Sequence, residues 1–179
     1  KAKPIWLKNK ILEMNVMAGF KCILETDKSK KTKIKIAGFT VFKVYINGTF
    51  IFFGPDRTAH GFSRAKIINI SDYLKIGSNI VCIEVCGYNI NGYGQLNEPS
   101  FLQAEILEDN QVAKFTTNTN KHFIGYHLIQ KIQKIQRYSF QRTFAEAYRI
   151  NSHSNDWQIE SSTLPAFPLE ETPAKKLLD

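Results

Sequence analysis

The stretch that decides the fold is TVFKVYINGTFIFFG, residues 40–54. Its Asn47-Gly48 pair is the strongest short signal for a β-hairpin, because a two-residue turn needs positive φ at both positions and these residues tolerate it. Apolar and aromatic residues of high β propensity flank the pair on both sides. Gly54-Pro55-Asp56 then interrupts the second apolar run. The stretch therefore predicts two antiparallel strands joined by a tight turn.

Alternation of apolar and polar residues predicts further strands on either side of this hairpin. In Thr32–Phe39, for example, Lys33 and Lys35 alternate with Ile34 and Ile36. The other predicted strands are Phe20–Glu25, Lys66–Ile70, Ile80–Cys86, Phe101–Leu107 and Gln111–Phe115.

Two segments have a different pattern. Ser71–Leu74 predicts a single helical turn, with Ser71 as its cap and Gly77 at its end. In His127–Arg137 isoleucines recur every three residues, which suits a helix, but no residue caps the segment. The sequence is compatible with either a helix or a strand in this segment.

The composition is that of a globular protein. Of 179 residues, 43% are apolar and 22% are charged, values that exclude disordered, collagen-like and coiled-coil chains. No apolar run approaches the ~20 residues of a membrane span. Several short strands separated by turn residues, with one helical turn, predict an all-β fold, a jelly roll or β-sandwich.

The chain is expected to contain one domain and a tail. Residues 1–156 are long enough for a single β-sandwich core. Residues 157–179 include Pro165, Pro168 and Pro173 and predict an extended linker toward a domain that follows. The first residue is a lysine, which we expect of a processed protein or of part of a longer one.

Positive charge is concentrated at the start of the chain. Residues 1–43 hold eleven lysines and three acidic residues, which accounts for the whole net charge of +8. Lys28 to Lys35 dominate this excess and predict a solvated hairpin tip and the outer face of an edge strand. A nucleic-acid patch would interleave arginines and aromatic residues, and neither lies within this cluster.

The sequence indicates no metal site and no catalytic motif. Cys22, Cys82 and Cys86 are too few for a disulfide framework, and no histidine accompanies them at ligand spacing, so we expect buried thiols. The four histidines are scattered, no nucleophile motif occurs, and no two acidic residues pair as glycoside hydrolysis requires. We therefore expect no catalytic residues, no metal and no cofactor.

The loop Gly87–Glu98 is the best candidate for binding. It is rich in tyrosine, asparagine and glutamine, which offer aromatic faces beside neutral hydrogen-bonding groups. Such a mixture suits sugar rings, because their C–H faces stack on aromatic rings while their hydroxyls bind amides. The alternative is that the loop packs on a neighbouring domain. If it binds sugar, the expected contact residues are Tyr88, Asn91, Tyr93 and Gln95.

Four segments, in order, resemble the amino-terminal, galactose-binding-like β-sandwich of bacterial α-L-rhamnosidases. The first is Phe39–Gly54, with Tyr45-Ile46-Asn47-Gly48, followed by Gly54-Pro55-Asp56-Arg57, and the second is Ile70–Ile80. The third is Arg137–Tyr148, and the fourth is the tail ending at Pro173–Asp179. The resemblance covers nearly the whole chain.

The resemblance implies a function through the parent enzyme. Such enzymes are inverting glycoside hydrolases that remove terminal rhamnose, and their catalytic acids lie in a later (α/α)₆ barrel that this chain lacks. The chain is thus expected to be a non-catalytic accessory module that contacts a rhamnose-containing glycan or supports the catalytic domain of the same chain. A periplasmic or extracellular location would follow. Some related sandwiches bind sugar with calcium, but no matching Asp/Asn cluster occurs here, so no metal is carried over.

The sequence is also compatible with two other classes of function. One is a purely structural protein-interaction β-domain, and the other is a basic nucleic-acid-binding β-domain that uses the Lys28 to Lys35 cluster.

Overall fold

The computed structural model describes residues 2–109, 114–118, 122–173 and 175–178. Within these ranges the structure is almost entirely β, with short 3₁₀ turns at Ser71–Tyr73 and Asp156–Gln158. The strands, in chain order, are β1 (Ile5–Leu7), β2 (Val16–Thr26), β3 (Thr32–Phe39), β4 (Val41–Ile46), β5 (Thr49–Gly54), β6 (Phe62–Arg64), β7 (Lys66–Asn69), β8 (Gly77–Gly87), β9 (Phe101–Glu108), β10 (Phe115–Thr116), β11 (Ile124–His127), β12 (Leu169–Glu171) and β13 (Lys176–Leu178).

Two antiparallel sheets enclose the core. One has the order β12-β1-β9-β3-β7, with β10 paired to β9, and the other has the order β11-β2-β8-β4-β5. Buried apolar side chains from both sheets, such as Phe20, Ile34, Ile83 and Ile106, form one cluster. The predicted all-β sandwich is therefore confirmed.

The hairpin at Asn47-Gly48 is also confirmed. Asn47 has φ +50° and Gly48 has φ +79°, as the two-residue turn requires. The turn joins β4 to β5, and β4 pairs on its other side with β8. The hairpin therefore extends the second sheet from its centre to its edge.

Several strands differ from the prediction in length or place. β2 and β8 are eleven residues each and pair along their whole length, because each supplies the other's hydrogen-bonding partners beyond the predicted ends. β3 pairs with both β7 and β9, so Lys33 and Lys35 lie on an inner strand, whereas an edge strand was predicted. Lys28, Lys30 and Lys31 are exposed at the preceding turn, as expected.

The helical turn predicted at Ser71–Leu74 is present as the 3₁₀ turn Ser71–Tyr73, but the predicted cap is wrong. Ser71 does not cap its 3₁₀ turn, because its hydroxyl oxygen accepts a hydrogen bond from the backbone N–H of Thr32 at 2.8 Å. Residues 128–137 contain no helix, and bridges at Lys131–Tyr148 and Arg137–Phe144 make them part of an irregular antiparallel arm. The predicted return strand Gln111–Phe115 lies mostly outside the described residues.

The segment predicted as a linker packs on the sandwich. β12 pairs with β1, and β13 runs parallel to β6. Trp157 is fully buried, in a second apolar cluster with Met17, Cys82 and Tyr126. These contacts join residues 157–178 to the β-sheets.

No helix in the described part of the chain has the length and apolarity needed to cross a membrane.

Candidate functional site

Two loops meet at one end of the sandwich. β5 and β8 are both antiparallel to β4, so they run in the same direction and the loops that follow them leave at the same end. Thr40, at the start of β4, ties this end together. Its backbone N–H donates to the carbonyl of Cys86 (3.1 Å), and its hydroxyl accepts from the N–H of Tyr88 (3.1 Å).

These loops, residues 55–61 and 88–100, border an open groove of about 490 Å³. We call it the loop groove. Its volume is within the range of roughly 300–1,000 Å³ that is typical of ligand clefts. Its lining residues include Asp56, Arg57, His60, Tyr93, Gln95, Glu98 and Lys175.

Tyr93 presents its ring to solvent from an anchored backbone. The N–H of Gly92 donates to the carbonyl of Gln95 at 2.9 Å and closes a tight turn, with Tyr93 at its tip. The N–H of Tyr93 donates to the carbonyl of Gln141 at 3.2 Å. The Tyr93 side chain is 90% exposed, so its ring faces are accessible to a ligand.

Asn89 holds the base of the same loop. It is buried at positive φ, which asparagine tolerates better than most residues. Its amide nitrogen donates to the carbonyls of Ile11 (2.6 Å) and Glu13 (3.1 Å), and its Oδ1 accepts from the Ser100 hydroxyl (2.7 Å). Asn89 is therefore a structural anchor of the loop.

The structure brings two of the four predicted contact residues together. Tyr93 and Gln95 line the loop groove, whereas Tyr88 and Asn91 do not. The Asn91 side chain forms a hydrogen bond within the loop, because its Oδ1 accepts from the N–H of Asn97 at 2.8 Å. Tyr88 is only 8% exposed and its ring cannot stack on a sugar there.

Tyr88 belongs instead to a buried polar cluster on the outer face of the second sheet. It follows β8 and keeps the side-chain alternation of the strand, so it shares a face with Cys86. The Lys131 Nζ lies 4.9 Å from the Tyr88 ring centroid and donates to the Cys86 Sγ at 2.7 Å. Burial raises the pKa of the Tyr88 hydroxyl and of the Cys86 thiol. Strand alternation places Tyr88 on the same face as Cys86, but its burial there involves Lys131, a remote residue that no local sequence pattern indicates.

The charged residues of the loop groove were not predicted as a site. Glu98 forms an ion pair with Lys175, whose Nζ also lies 3.8 Å from the Phe39 ring centroid. Asp56 forms an ion pair with Lys66 at 3.2 Å. Both carboxylates of the groove are thus engaged by lysines. Lys175 comes from the far end of the chain, which no local sequence pattern could reveal.

Metal-ligating side chains do not cluster in the described ranges. No three His, Cys, Asp or Glu side chains there lie close enough together to hold an ion. All three cysteines are buried and unbridged.

Comparison with known proteins gives no match at the level of sequence. Neither a protein-family model nor a curated protein matches this chain. Solved structures do match. The GH78 family rhamnosidase of Bacillus sp. GL1 superposes with a TM-score of 0.85 and 17% identity, over 99% of this chain and 19% of that one. An α-L-rhamnosidase from Aspergillus terreus superposes with a TM-score of 0.68 and 14% identity, over 99% of this chain and 22% of that one.

A lectin from Pleurotus ostreatus, solved in complex with GalNAc, superposes less well. Its TM-score is 0.50 at 17% identity, over 82% of this chain and 42% of the lectin. The expected resemblance to rhamnosidases is confirmed at the level of fold. Throughout its length, the chain has the fold of a β-rich domain of GH78 α-L-rhamnosidases, and it spans about a fifth of the length of those proteins.

Proposed function

We propose that this chain is a non-catalytic accessory domain of an α-L-rhamnosidase-like glycoside hydrolase, and that its loop groove contacts glycan. The observation that carries the proposal is the superposition of the whole chain on a domain of such enzymes, at a TM-score of 0.85. The catalytic domain of the same parent chain is the proposed partner. An inverting mechanism and a periplasmic or extracellular location belong to the parent in this proposal.

Glycan contact is supported by the composition of the loop groove. The exposed ring of Tyr93 offers a stacking face, and Gln95 lines the same groove with a side-chain amide. An aromatic face can stack on the C–H face of a sugar ring, and an amide can hydrogen-bond to its hydroxyls. The fold of a lectin solved with GalNAc, although only distantly similar, is compatible with this role.

A titration tests the glycan contact. We expect rhamnose-bearing oligosaccharides to shift the amide signals of residues 92–96 and 56–61, with a dissociation constant near the millimolar range, which corresponds to about −4 kcal/mol. Tyr93→Ala should abolish the shifts. Tyr73→Ala is the matched control, because Tyr73 is an exposed tyrosine that does not line the groove. Absence of shifts up to tens of millimolar would reject glycan contact.

The lack of catalysis has a separate test. Both carboxylates of the loop groove are engaged by lysines, which does not suit an acid–base pair. We expect the isolated chain to leave an aryl rhamnoside uncleaved beyond the rate in buffer. Turnover that a point substitution within this chain abolishes would contradict the proposal.

A structural interaction domain is the second candidate. The irregular arm of residues 128–150 exposes large apolar side chains, as an interdomain contact would require: Ile129 (70%), Tyr138 (78%), Phe140 (74%) and Ile150 (88%). This role is favoured if the glycan titration fails while the chain still binds the separately produced catalytic domain. Salt-sensitive DNA binding that is lost when Lys28, Lys30 and Lys31 become glutamine would instead support the nucleic-acid class.

A further inference from the structure

The charged residues of the loop groove differ in whether they have ion-pair partners. Asp56 is paired with Lys66 at 3.2 Å, and Glu98 is paired with Lys175. Lys175 has a second interaction, because its Nζ lies 3.8 Å from the centroid of the Phe39 ring. These ion pairs neutralise both acidic side chains that line the groove.

Arg57 differs from these residues. It is an exposed residue of the loop 55–61 and lines the groove. Among the residues that the structure describes, none forms a hydrogen bond or an ion pair with its guanidinium. Five N–H donors and one positive charge are therefore available on the groove wall.

Tyr93 completes the arrangement. Its exposed ring and the Arg57 guanidinium line the same cleft, and the two loops that carry them are held by the pairing of β4 with β5 and β8. One side chain thus offers an apolar face to a sugar ring, and the other offers a fixed positive charge for a substituent of that ring.

The chemistry of guanidinium decides which substituent fits. A hydroxyl group accepts one neutral hydrogen bond from arginine, whereas a carboxylate or a sulfate matches its planar fork with two charge-assisted bonds, roughly twice as strong each. Among the lining residues that the structure describes, both carboxylates are already paired, so neither of them competes for Arg57. We propose that the loop groove selects an anionic sugar residue and that Arg57 binds its acidic group. This inference rests on the proposed glycan contact.

The test compares three disaccharide probes at pH 7.5. One contains rhamnose and glucuronic acid, the second has glucose in place of the glucuronic acid, and the third is the second with a sulfate ester on its glucose. We expect at least one acidic probe to bind about tenfold more tightly than the neutral one, a difference of about 1.4 kcal/mol. The preference should weaken between low and high salt, because exposed charges are screened. Comparison of the two acidic probes distinguishes a uronate from a sulfate ester.

Arg57→Gln should remove the preference, so that the acidic probes bind no more tightly than the neutral one. Arg149→Gln is the matched control, because Arg149 is an exposed arginine that does not line the groove. Equal affinity for neutral and acidic probes, or an identical loss in both variants, would overturn this inference and leave the proposed function intact. If none of the probes binds, the proposed glycan contact fails together with it.

Discussion

At the scale of single residues, the least expected feature is the buried lysine Lys131. Its side chain is almost completely enclosed, and the Cys86 sulfur accepts from its Nζ at 2.7 Å while the Tyr88 ring lies beside it. A buried ammonium group is costly unless partners replace its hydration. Cys86 and Tyr88 therefore stabilise a charge that a core would otherwise exclude.

We predict that Cys86→Ala lowers the free energy of unfolding by about 1–3 kcal/mol, because it leaves the Lys131 ammonium without its acceptor. The additional exchange Lys131→Met should recover much of the loss, since methionine needs no partner. Urea denaturation measures both variants. Cys22→Ala is the control, because Cys22 is a buried cysteine of the main core. An equal cost for Cys86→Ala and Cys22→Ala would contradict the role of the thiol.

A second residue-scale prediction concerns pH. Burial lowers the pKa of His127 below its ordinary value of 6.5, and the positive charge of Lys10 lowers it further, while Glu13 opposes them. The unfolded chain therefore binds the proton more readily than the folded chain. The stability contributed by neutral His127 is present above pH 6.5 and is lost as the pH falls through the folded pKa.

His127→Gln should accordingly reduce the loss of unfolding free energy between pH 7.5 and pH 5. His60→Gln, at an exposed loop position, is the matched control. Denaturant titrations at several pH values provide the measurement. If His127→Gln shows the full loss, the pH dependence comes from other groups.

At the scale of elements, the Asn47-Gly48 turn depends on the backbone conformation of its own two residues. Gly48 has φ +79°, and a Cβ atom added there would meet no atom within 4 Å. Gly48→Val should therefore destabilise the fold by more than ~1 kcal/mol through backbone strain alone. Gly48→Asn is the matched variant, because asparagine tolerates left-handed backbone and should cost less. Equal denaturation midpoints for the two variants would show that strain at this turn does not limit stability.

At the scale of the whole molecule, Trp157 connects the last part of the chain to the second sheet. Its ring packs over Gly19, where an added Cβ would lie only 2.8 Å from the ring, and near Tyr126. Trp157→Ala should cost about 3–5 kcal/mol and make residues 157–178 more sensitive to protease. Ile159→Ala, at a half-exposed side chain nearby, should cost less than about 1 kcal/mol. If Trp157→Ala leaves the free energy of unfolding unchanged, the sandwich is stable without this contact, as the predicted linker would require.

Local features of the chain were readable from the sequence alone. The hairpin turn, the strand Thr32–Phe39 with its inward isoleucines, and the all-β class depend on backbone preference and on two-residue periodicity, which neighbouring residues determine. The exposed ring of Tyr93 in a turn-rich loop has the same local origin.

Only the tertiary structure decided which distant segments meet. It buried Tyr88 beside Lys131, made β3 an inner strand, and brought Lys175 to Glu98. The isoleucine spacing of residues 129–135 suits a helix, but this arm pairs with residues 144–148 and contacts the second sheet through Lys131 and Cys86. These outcomes depend on sheet order and on contacts between remote residues, such as Lys131 with Cys86 and Lys175 with Glu98. Such contacts leave no periodic signal in the sequence, because each arises between segments far apart in the chain.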